Sequence, residues 1–357
     1  MKTSNIIRVF LCAALLSNSV VGFAFETDQY NLPPEPLADI GDEVSQYTEE
    51  NLREAVSKLN EEIEFRQKCL ENNVEKNKKN KCNSTEKERV KLKYLRSEEA
   101  IVKAVFGKLG AGIPPFTSSE VWMNSHLFTG QPARYKTDYG NSIFALNPFN
   151  YLTISPTVNL YGNEFGTDKI AHLYQQGFTY YQKYNRGLAA GMTADKASEK
   201  VIQWGQMTER TFYGTLVSGV YSNADLCANF AGMKFYQGLT REIKIGSTTR
   251  PAILILKNGF WILNENADLK HILLKPFISN HLNEALNPSK FVSNFGFRSF
   301  VRRSVKKRSC QQWLNSNFNL TKADLENLTR NLKNWYGEDY GFSESENFVT
   351  IANTCFD

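Results

Sequence analysis

The residues best suited to chemistry lie in three successive helical segments near the middle of the chain. In the first segment, Thr167 caps a helix, Asp168 lies in its first turn, and His172 follows one turn later on the same face. A carboxylate beside an imidazole can orient the ring or change its charge, which suits a general base or a metal ligand. The alternative is a capping aspartate beside a hydrogen-bonded histidine with no chemical role.

Two further carboxylates follow in the next two segments. Glu209 lies near the end of the second helix, and Asp225 and Asn229 share a face of the third. The glycine-rich residues 213–221 between them predict a short hairpin. A helix-end glutamate, a hairpin and a second carboxylate match the arrangement in lysozyme, where the glutamate protonates the leaving oxygen and the second carboxylate supports the oxocarbenium-like state. Alternatively, Glu209 pairs with a nearby cation and Asp225 stabilises a helix start.

Another polar pair stands later in the chain. His281 and Glu284 are three residues apart near the end of a helix predicted over residues 267–286, which Asn287 and Pro288 terminate. The two side chains could bind a ligand or close over the first site from the opposite side. Because the chain has no H-E-x-x-H motif, we assign both residues to binding and predict neither a metal nor a cofactor. A capped helix end is the alternative.

The order of these residues resembles a pattern in two bacterial families. The sequence DK-x-x-H from residue 168, then Glu209, then D-x-x-x-N-x-x-G from residue 225 is similar to YfiM-type lipoproteins and VanZ-like membrane proteins. The resemblance covers residues 166–238. The chain departs from the VanZ-like pattern in lacking membrane-spanning helices, and from the YfiM type in lacking a lipobox and in its greater length. The resemblance implies that these side chains meet in one site, and it implies no particular reaction.

Helices must position such a site. Apolar periodicity predicts a mainly α protein, a multi-helix globular domain with a small β-hairpin element at residues 252–263 and an N-terminal helical hairpin. An irregular aromatic stretch, residues 118–165, could line the site. The predicted helices of the globular domain cover residues 167–184, 193–212, 223–237, 267–286, 308–317 and 321–335. The predicted segments are a signal peptide at 1–24, an extended arm at 25–47, the helical hairpin at 48–106, and the mainly helical domain at 107–357.

The N-terminus indicates export. Lys2 and Arg8 give a positive start, the residues after Arg8 are apolar, and small residues precede a cleavage site after Ala24. An uncleaved membrane anchor is the alternative, but the apolar stretch is short for a bilayer. Elsewhere the chain has no run of about 18 apolar residues, so we predict no stable membrane span.

The cysteines agree with an oxidising compartment. We predict that Cys69 and Cys82 join the two helices of the hairpin, that Cys310 and Cys355 hold the chain end, and that Cys227 is a buried free thiol. Together with the signal peptide, this predicts a periplasmic or secreted protein.

Composition limits the function classes without choosing one. The formal net charge is +5, 41% of residues are hydrophobic, and no Walker loop, dinucleotide fingerprint or G-x-S-x-G elbow supports those chemistries. The basic run at residues 302–308 suits an anionic lipid or polymer better than nucleic acid, and a solvated helix face is its simplest interpretation. We expect an envelope polymer such as peptidoglycan, or a periplasmic protein, as partner.

Three hypotheses for function follow. The first is a glycosidase-like hydrolase of peptidoglycan or another envelope glycan, with Glu209 as general acid. The second is a non-catalytic binding or structural protein whose polar helix faces form a buried network. The third is a metal-dependent envelope hydrolase that uses His172 and His281 with nearby carboxylates. Catalysis requires Glu209 and Asp225 to face a cleft, a metal site requires three ligands within reach, and the structural hypothesis requires buried and paired groups.

Overall fold

The computed structural model describes the chain with several gaps. The predicted signal peptide and the lysine-rich connection between Cys69 and Cys82 lie outside its described residues. Within them, the protein is mainly α-helical and its strands are short and antiparallel, which confirms the predicted fold class. The described residues are 26–71, 82–112, 117–145, 154–211, 213–216, 218–292, 296–316, 321–335, 340–343 and 347–356.

The helices are numbered here in chain order. They are α1 Gly41–Glu71, α2 Thr85–Leu95, α3 Glu98–Leu109, α4 Ser118–Ser125, α5 Thr167–Ala171, α6 Gly177–Ala189, α7 Ala194–Glu209, α8 Asn223–Thr240, α9 Leu269–Ile272, α10 Phe297–Ser304, α11 Cys310–Asn315, α12 Lys322–Lys333 and α13 Ile351–Cys355. A π-helical turn, His172–Gln176, joins α5 to α6, and another, Val305–Ser309, joins α10 to α11.

The strands pair two at a time. They are β1 Thr157–Leu160 with β2 Asn163–Gly166, β3 Val220–Ser222 with β8 Ser289–Phe291, β4 Ile243–Ile245 with β5 Thr248–Arg250, and β6 Leu254–Lys257 with β7 Phe260–Leu263. The last pair is the hairpin predicted from the sequence, and it turns at Asn258 and Gly259, both of which have positive φ.

Helix α8 is the centre of the fold. Nearly all of its residues are buried, and it packs against α6, α7 and the π-helical turn before α6. Gly232 of α8 faces Gly177, and a Cβ at Gly232 would overlap the Leu173 carbonyl oxygen. The two helices therefore approach at backbone distance, which only glycine permits at this crossing. The close crossing brings the beginning of α5 next to the beginning of α8.

The N-terminal hairpin forms with different bounds from those predicted. Helix α1 starts at Gly41 rather than at residue 48, so it takes up part of the predicted arm. The second helix, predicted as one element, breaks at Arg96 into α2 and α3, because the Ser97 side chain accepts a hydrogen bond from the Ala100 amide and starts a new helix. The predicted Cys69–Cys82 disulfide is present and joins the last turn of α1 to the residues just before α2.

Residues 26–31 have no regular secondary structure and are all buried. Tyr30 is fully buried, its hydroxyl donates to the Val349 carbonyl, and its own carbonyl accepts from the Trp313 indole. The start of the described chain is thus held by its C-terminal part, where the predicted Cys310–Cys355 disulfide is also present. Cys227 is a buried free thiol, as predicted.

Several predicted elements are wrong. The stretch 118–165 contains helix α4 and most of the β1–β2 hairpin, and in place of one helix over 267–286 there are only short helical turns, since Pro276 interrupts the segment. The predicted hairpin at 213–221 does not form, because Val220–Ser222 pairs with the distant strand Ser289–Phe291. Among the described helices, none combines the length and the apolar character needed to cross a bilayer.

Candidate functional site

Five separate parts of the chain bring polar side chains to one buried place. They are the N-terminal segment, the start of α5, the end of α7, the strand β3 with the start of α8, and the loop before β8. The start of α8 is fixed locally, since the Ser222 hydroxyl accepts a hydrogen bond from the Asp225 amide at 3.0 Å. Asp225 is thereby held in the first turn of the helix.

Lys169 is the centre of this cluster. Its ammonium lies 2.6 Å from Asp168 Oδ2, 2.5 Å from Asp225 Oδ1 and 2.5 Å from Glu284 Oε1, and its side chain has no exposed area. The three carboxylates come from α5, α8 and the loop before β8. One ammonium therefore connects three elements that are distant in sequence: it donates a hydrogen bond to Asp168 and forms close ion pairs with Asp225 and Glu284.

The electrostatics of the cluster keep Lys169 and Asp225 charged. Burial alone would lower the pKa of Lys169, but Asp168, Asp225, Glu284 and Glu26 raise it well above its usual value. Burial alone would raise the pKa of Asp225, but His172 and Lys169 outweigh it and hold that pKa below its usual value. The pair is thus ionised together in the interior of the protein.

His172 lies beside the lysine, one helical turn after Asp168. Its Nδ1 lies 2.9 Å from Asn229 Oδ1, and its Nε2 lies 3.5 Å from Asp225 Oδ2 without a hydrogen-bond partner within the described residues. Because the Asn229 oxygen can only accept, Nδ1 carries a proton in this arrangement. Nε2 then faces the Asp225 carboxylate.

The carboxyls of Glu209 and Glu26 lie on the other side of Asp225. Glu209 Oε1 accepts a hydrogen bond from the Ser222 amide at 3.0 Å, and Glu26 Oε2 has no hydrogen-bond partner within the described residues. Burial, and then the charge of Asp225, raise the pKa of both glutamates well above the usual value. The pKa values of neighbouring carboxyls in the cluster are therefore shifted in opposite directions, upwards for the two glutamates and downwards for Asp225.

Glu284 is held by hydroxyl groups as well as by Lys169. The Ser222 hydroxyl donates to its Oε1 at 2.7 Å and the Ser289 hydroxyl to its Oε2 at 2.5 Å, while its amide donates to Gln29 Oε1 at 2.6 Å. Burial raises the pKa of Glu284, although Lys169 partly offsets this. On the opposite side of the lysine, the Thr27 hydroxyl donates to Asp168 Oδ1 at 2.6 Å.

Six of the seven residues singled out in the sequence meet in this cluster, and one does not. His281 is fully buried, stacks on Trp335 at 3.6 Å and contacts the Ser279 hydroxyl, and burial alone lowers its pKa well below the usual value. The shared helix predicted for His281 and Glu284 does not exist, so the two side chains point to different surroundings. The residues in the cluster are Asp168, His172, Glu209, Asp225, Asn229 and Glu284.

Sequence reasoning missed the residues that complete the cluster. The sequence marks Lys169 only as part of the DK-x-x-H pattern, although a lysine inside an apolar helical face is itself a signal of a buried ion pair. Glu26 and Thr27 fell in the predicted arm, where no local pattern marks a buried segment. The two serines that bind Glu284 become neighbours only through the pairing of β3 with β8.

The cluster contains possible ligands for a metal ion and a possible pair of catalytic carboxyls, and access to both is restricted. Asp168, His172 and Asp225 each offer a ligand atom, all within 4.8 Å of one another, and Glu26, Asp225 and Glu284 form a second such set. The Lys169 ammonium already lies among these oxygens, where a metal ion would have to compete with it. Glu209 and Asp225 are 2% and 1% exposed, so neither faces a cleft.

Comparisons of the chain with protein-family models, with curated proteins and with solved structures found no match. The resemblance to YfiM-type and VanZ-like proteins therefore stays a prediction from the DK-x-x-H and D-x-x-x-N-x-x-G patterns.

Proposed function

We propose that this protein is an exported, non-catalytic binding protein of the cell envelope, held together at its centre by a buried ion-pair network. The observation that carries the proposal is the Lys169 ammonium, which is completely buried and lies within 2.6 Å of three carboxylates from three chain segments. The second of the three hypotheses requires buried and paired groups. Lys169 and its three carboxylates meet this requirement, whereas His172 Nε2 and Glu26 Oε2 have no hydrogen-bond partner within the described residues.

The access to the carboxylates argues against catalysis as the first choice. A glycan must touch the general acid and the second carboxylate, and Glu209 and Asp225 are almost without exposed area. Buried ion pairs add little net stability compared with apolar packing, so this network is better explained as a device that fixes which elements meet. It joins the N-terminal segment, α5, α8 and the loop before β8 in one arrangement. A periplasmic location is part of the proposal, and the two disulfides support an oxidising compartment.

A peptidoglycan zymogram of the mature protein tests this function. We expect no clearing by the wild-type protein at a loading where hen lysozyme clears the gel, and no difference from Glu209→Gln. Both proteins should show the same cooperative unfolding, which demonstrates that they are folded. Clearing by the wild type that disappears in Glu209→Gln would overturn the proposal and establish the glycosidase-like hydrolase.

A hydrolase is the second candidate, and a specific observation favours it. Neighbouring carboxyls with pKa values shifted in opposite directions mark an acid and its ionised partner in glycosidases. Here the pKa of Glu209 is raised and that of Asp225 is lowered. The Ser222 amide donates to the Glu209 carboxyl, and the Ser222 hydroxyl accepts from the Asp225 amide, so one residue holds both acids in place. Substrate would have to open the cover over both groups.

A different observation supports a metal-dependent hydrolase. The unpartnered Nε2 of His172 lies near Asp225 and Asp168, in a set of three potential ligands. The same zymogram separates the two forms, because a chelator would abolish clearing by a metal enzyme and would leave a general-acid enzyme active. Clearing in either form removes the non-catalytic proposal.

A further inference from the structure

A recess of about 270 Å³ lies on the far side of the β3–β8 pair from the buried cluster. In this pair Tyr221 stands opposite Lys290, and Ser222 stands opposite Ser289. Because successive side chains of a strand point to opposite faces, the two serines reach Glu284 while Tyr221 and Lys290 line the recess. The two strands thus separate an acidic interior from a recess of opposite charge.

Two cations line the recess and lack acidic partners. Arg210 and Lys290 form no ion pair with a carboxylate in the described part of the chain, and the described lining contains no acidic residue. The Arg210 guanidinium lies 5.8 Å from the centre of the Tyr221 ring, so an aromatic face helps to hold it. Two cations without acidic partners in the described lining make the electrostatic potential in the recess positive, which favours binding of an anion.

The remaining lining supplies an apolar surface and a hydroxyl group. Tyr221 is 4% exposed and packs edge-on against Phe348 at 6.1 Å. The Tyr221 hydroxyl is buried beside Arg210 and Ser343 and forms no hydrogen bond of good geometry with the described residues. Burial raises the pKa of Tyr221 to about 12, although the charge of Arg210 partly offsets it. A buried donor without a partner is costly and is readily satisfied by a ligand oxygen.

The wall opposite the strands is fixed in position. The Ser343 amide donates to Asn223 Oδ1 at 3.1 Å, and Asn223 Nδ2 donates to the Ser343 carbonyl at 3.2 Å. Ser343 is therefore held against the first residue of α8, next to the cluster that organises that helix end. Residues 344–346 lie outside the described residues.

We propose that this recess binds a small organic anion, whose carboxylate or phosphate lies between Arg210 and Lys290 and accepts a hydrogen bond from Tyr221. Its apolar part rests on Val292 and Phe348. The inference deepens the proposed function by naming the ligand class. The volume is below the usual range of drug-sized pockets, which limits the ligand to about one ring and its charged group.

Isothermal titration of the mature protein with four probes tests the proposal. Benzoate and phenyl phosphate carry the two possible charged groups on one ring, inorganic phosphate has the charge without the ring, and benzyl alcohol has the ring without the charge. We expect saturable binding of benzoate or phenyl phosphate that weakens with added salt, and the tighter of the two identifies the charged group. Inorganic phosphate should bind more weakly, and benzyl alcohol should not bind.

The variants Arg210→Met and Lys290→Met keep the long side chains and remove the charge at residues that are exposed or half-buried. Each should weaken binding about tenfold, the loss expected for one charge-assisted hydrogen bond. Tyr221→Phe should weaken it by a smaller factor. Lys307→Met, which removes an exposed cation of the basic helix, is the matched control and should leave the dissociation constant unchanged.

The outcomes separate this inference from the proposed function. Absence of saturable binding by all probes, or equal binding by the wild type and both charge variants, overturns the anion site and leaves the non-catalytic role to the zymogram. Peptidoglycan clearing that depends on Glu209, with anion binding that depends on Arg210 and Lys290, overturns the proposed function and supports the recess.

Discussion

Replacing Lys169 by methionine should reveal how the buried cluster contributes to stability. The substitution keeps the length of the side chain and removes the ammonium that contacts Asp168, Asp225 and Glu284. At least one of these carboxylates must then be protonated in the folded protein, because an unpaired charge is not tolerated in the interior. The free energy needed to protonate this carboxylate depends on how far the pH lies above the ordinary pKa of the carboxyl.

The loss of unfolding free energy can be calculated from the difference between the pH and this ordinary pKa. Protonating an aspartate with an ordinary pKa of about 3.9 costs about 4 kcal/mol at pH 7 and about 1.5 kcal/mol at pH 5. The first figure agrees with the loss of about 3–5 kcal/mol for removing one partner of a buried ion pair. We therefore expect Lys169→Met to lower the free energy of unfolding by about 4 kcal/mol at pH 7 and by less than half of that at pH 5.

The wild type and the variant should depend on pH in opposite directions. Because the pKa of Asp225 is lowered in the folded protein, its contribution to stability is present above its unfolded pKa and is lost as the pH falls through the folded pKa. In Lys169→Met the pKa of a cluster carboxyl rises, so the variant instead loses stability as the pH rises. The difference between the two proteins should increase from pH 5 to pH 7.

Urea unfolding at pH 5 and pH 7, followed by circular dichroism and tryptophan fluorescence, measures these free energies. The double variant Lys169→Met with Asp225→Asn removes the charge together with its partner and should recover much of the loss. Lys58→Met, at an exposed ion pair with Glu54, is the control and should change the unfolding free energy little. A loss below about 1 kcal/mol at pH 7, or a loss equal at both pH values, would refute the reasoning.

Two further predictions concern the packing around the cluster. Gly232→Ala should lower the unfolding free energy by about 2 kcal/mol or more, because its Cβ would overlap the backbone of the facing helix. Gly107→Ala, with open space around it in α3, should instead raise the unfolding free energy by up to about 1 kcal/mol. Urea unfolding of both variants measures the two changes, and equal effects would contradict this reasoning. Burial, and then the charge of Asp168, raise the pKa of Glu120 to about 8, so its contribution to stability is present below its unfolded pKa and is lost as the pH rises through about 8. Glu120→Gln should therefore be more stable than the wild type at pH 9, and a variant less stable there would show that the carboxylate is satisfied in its ionised form.

The sequence predicted those features that depend on neighbours in the chain. The mainly α fold class, the hairpin within residues 252–263, and the start of α8 at Asn223 all follow from local periodicity and turn chemistry. The two disulfides followed from the spacing of few cysteines in an oxidising context. The i, i+4 spacing also placed Asp225 and Asn229 on one face, where both now contact His172.

Only the tertiary structure determines which side chains the candidate site contains and how deeply they are buried. Burial of Lys169 depends on the close crossing of α6 and α8, and the serine ligands of Glu284 depend on the pairing of β3 with β8 across more than sixty residues. No local pattern encodes such contacts, because they are set by which surfaces exclude water together in the folded chain. For the same reason the sequence could list the acids of the cluster but could not tell that they are enclosed and paired around one ammonium.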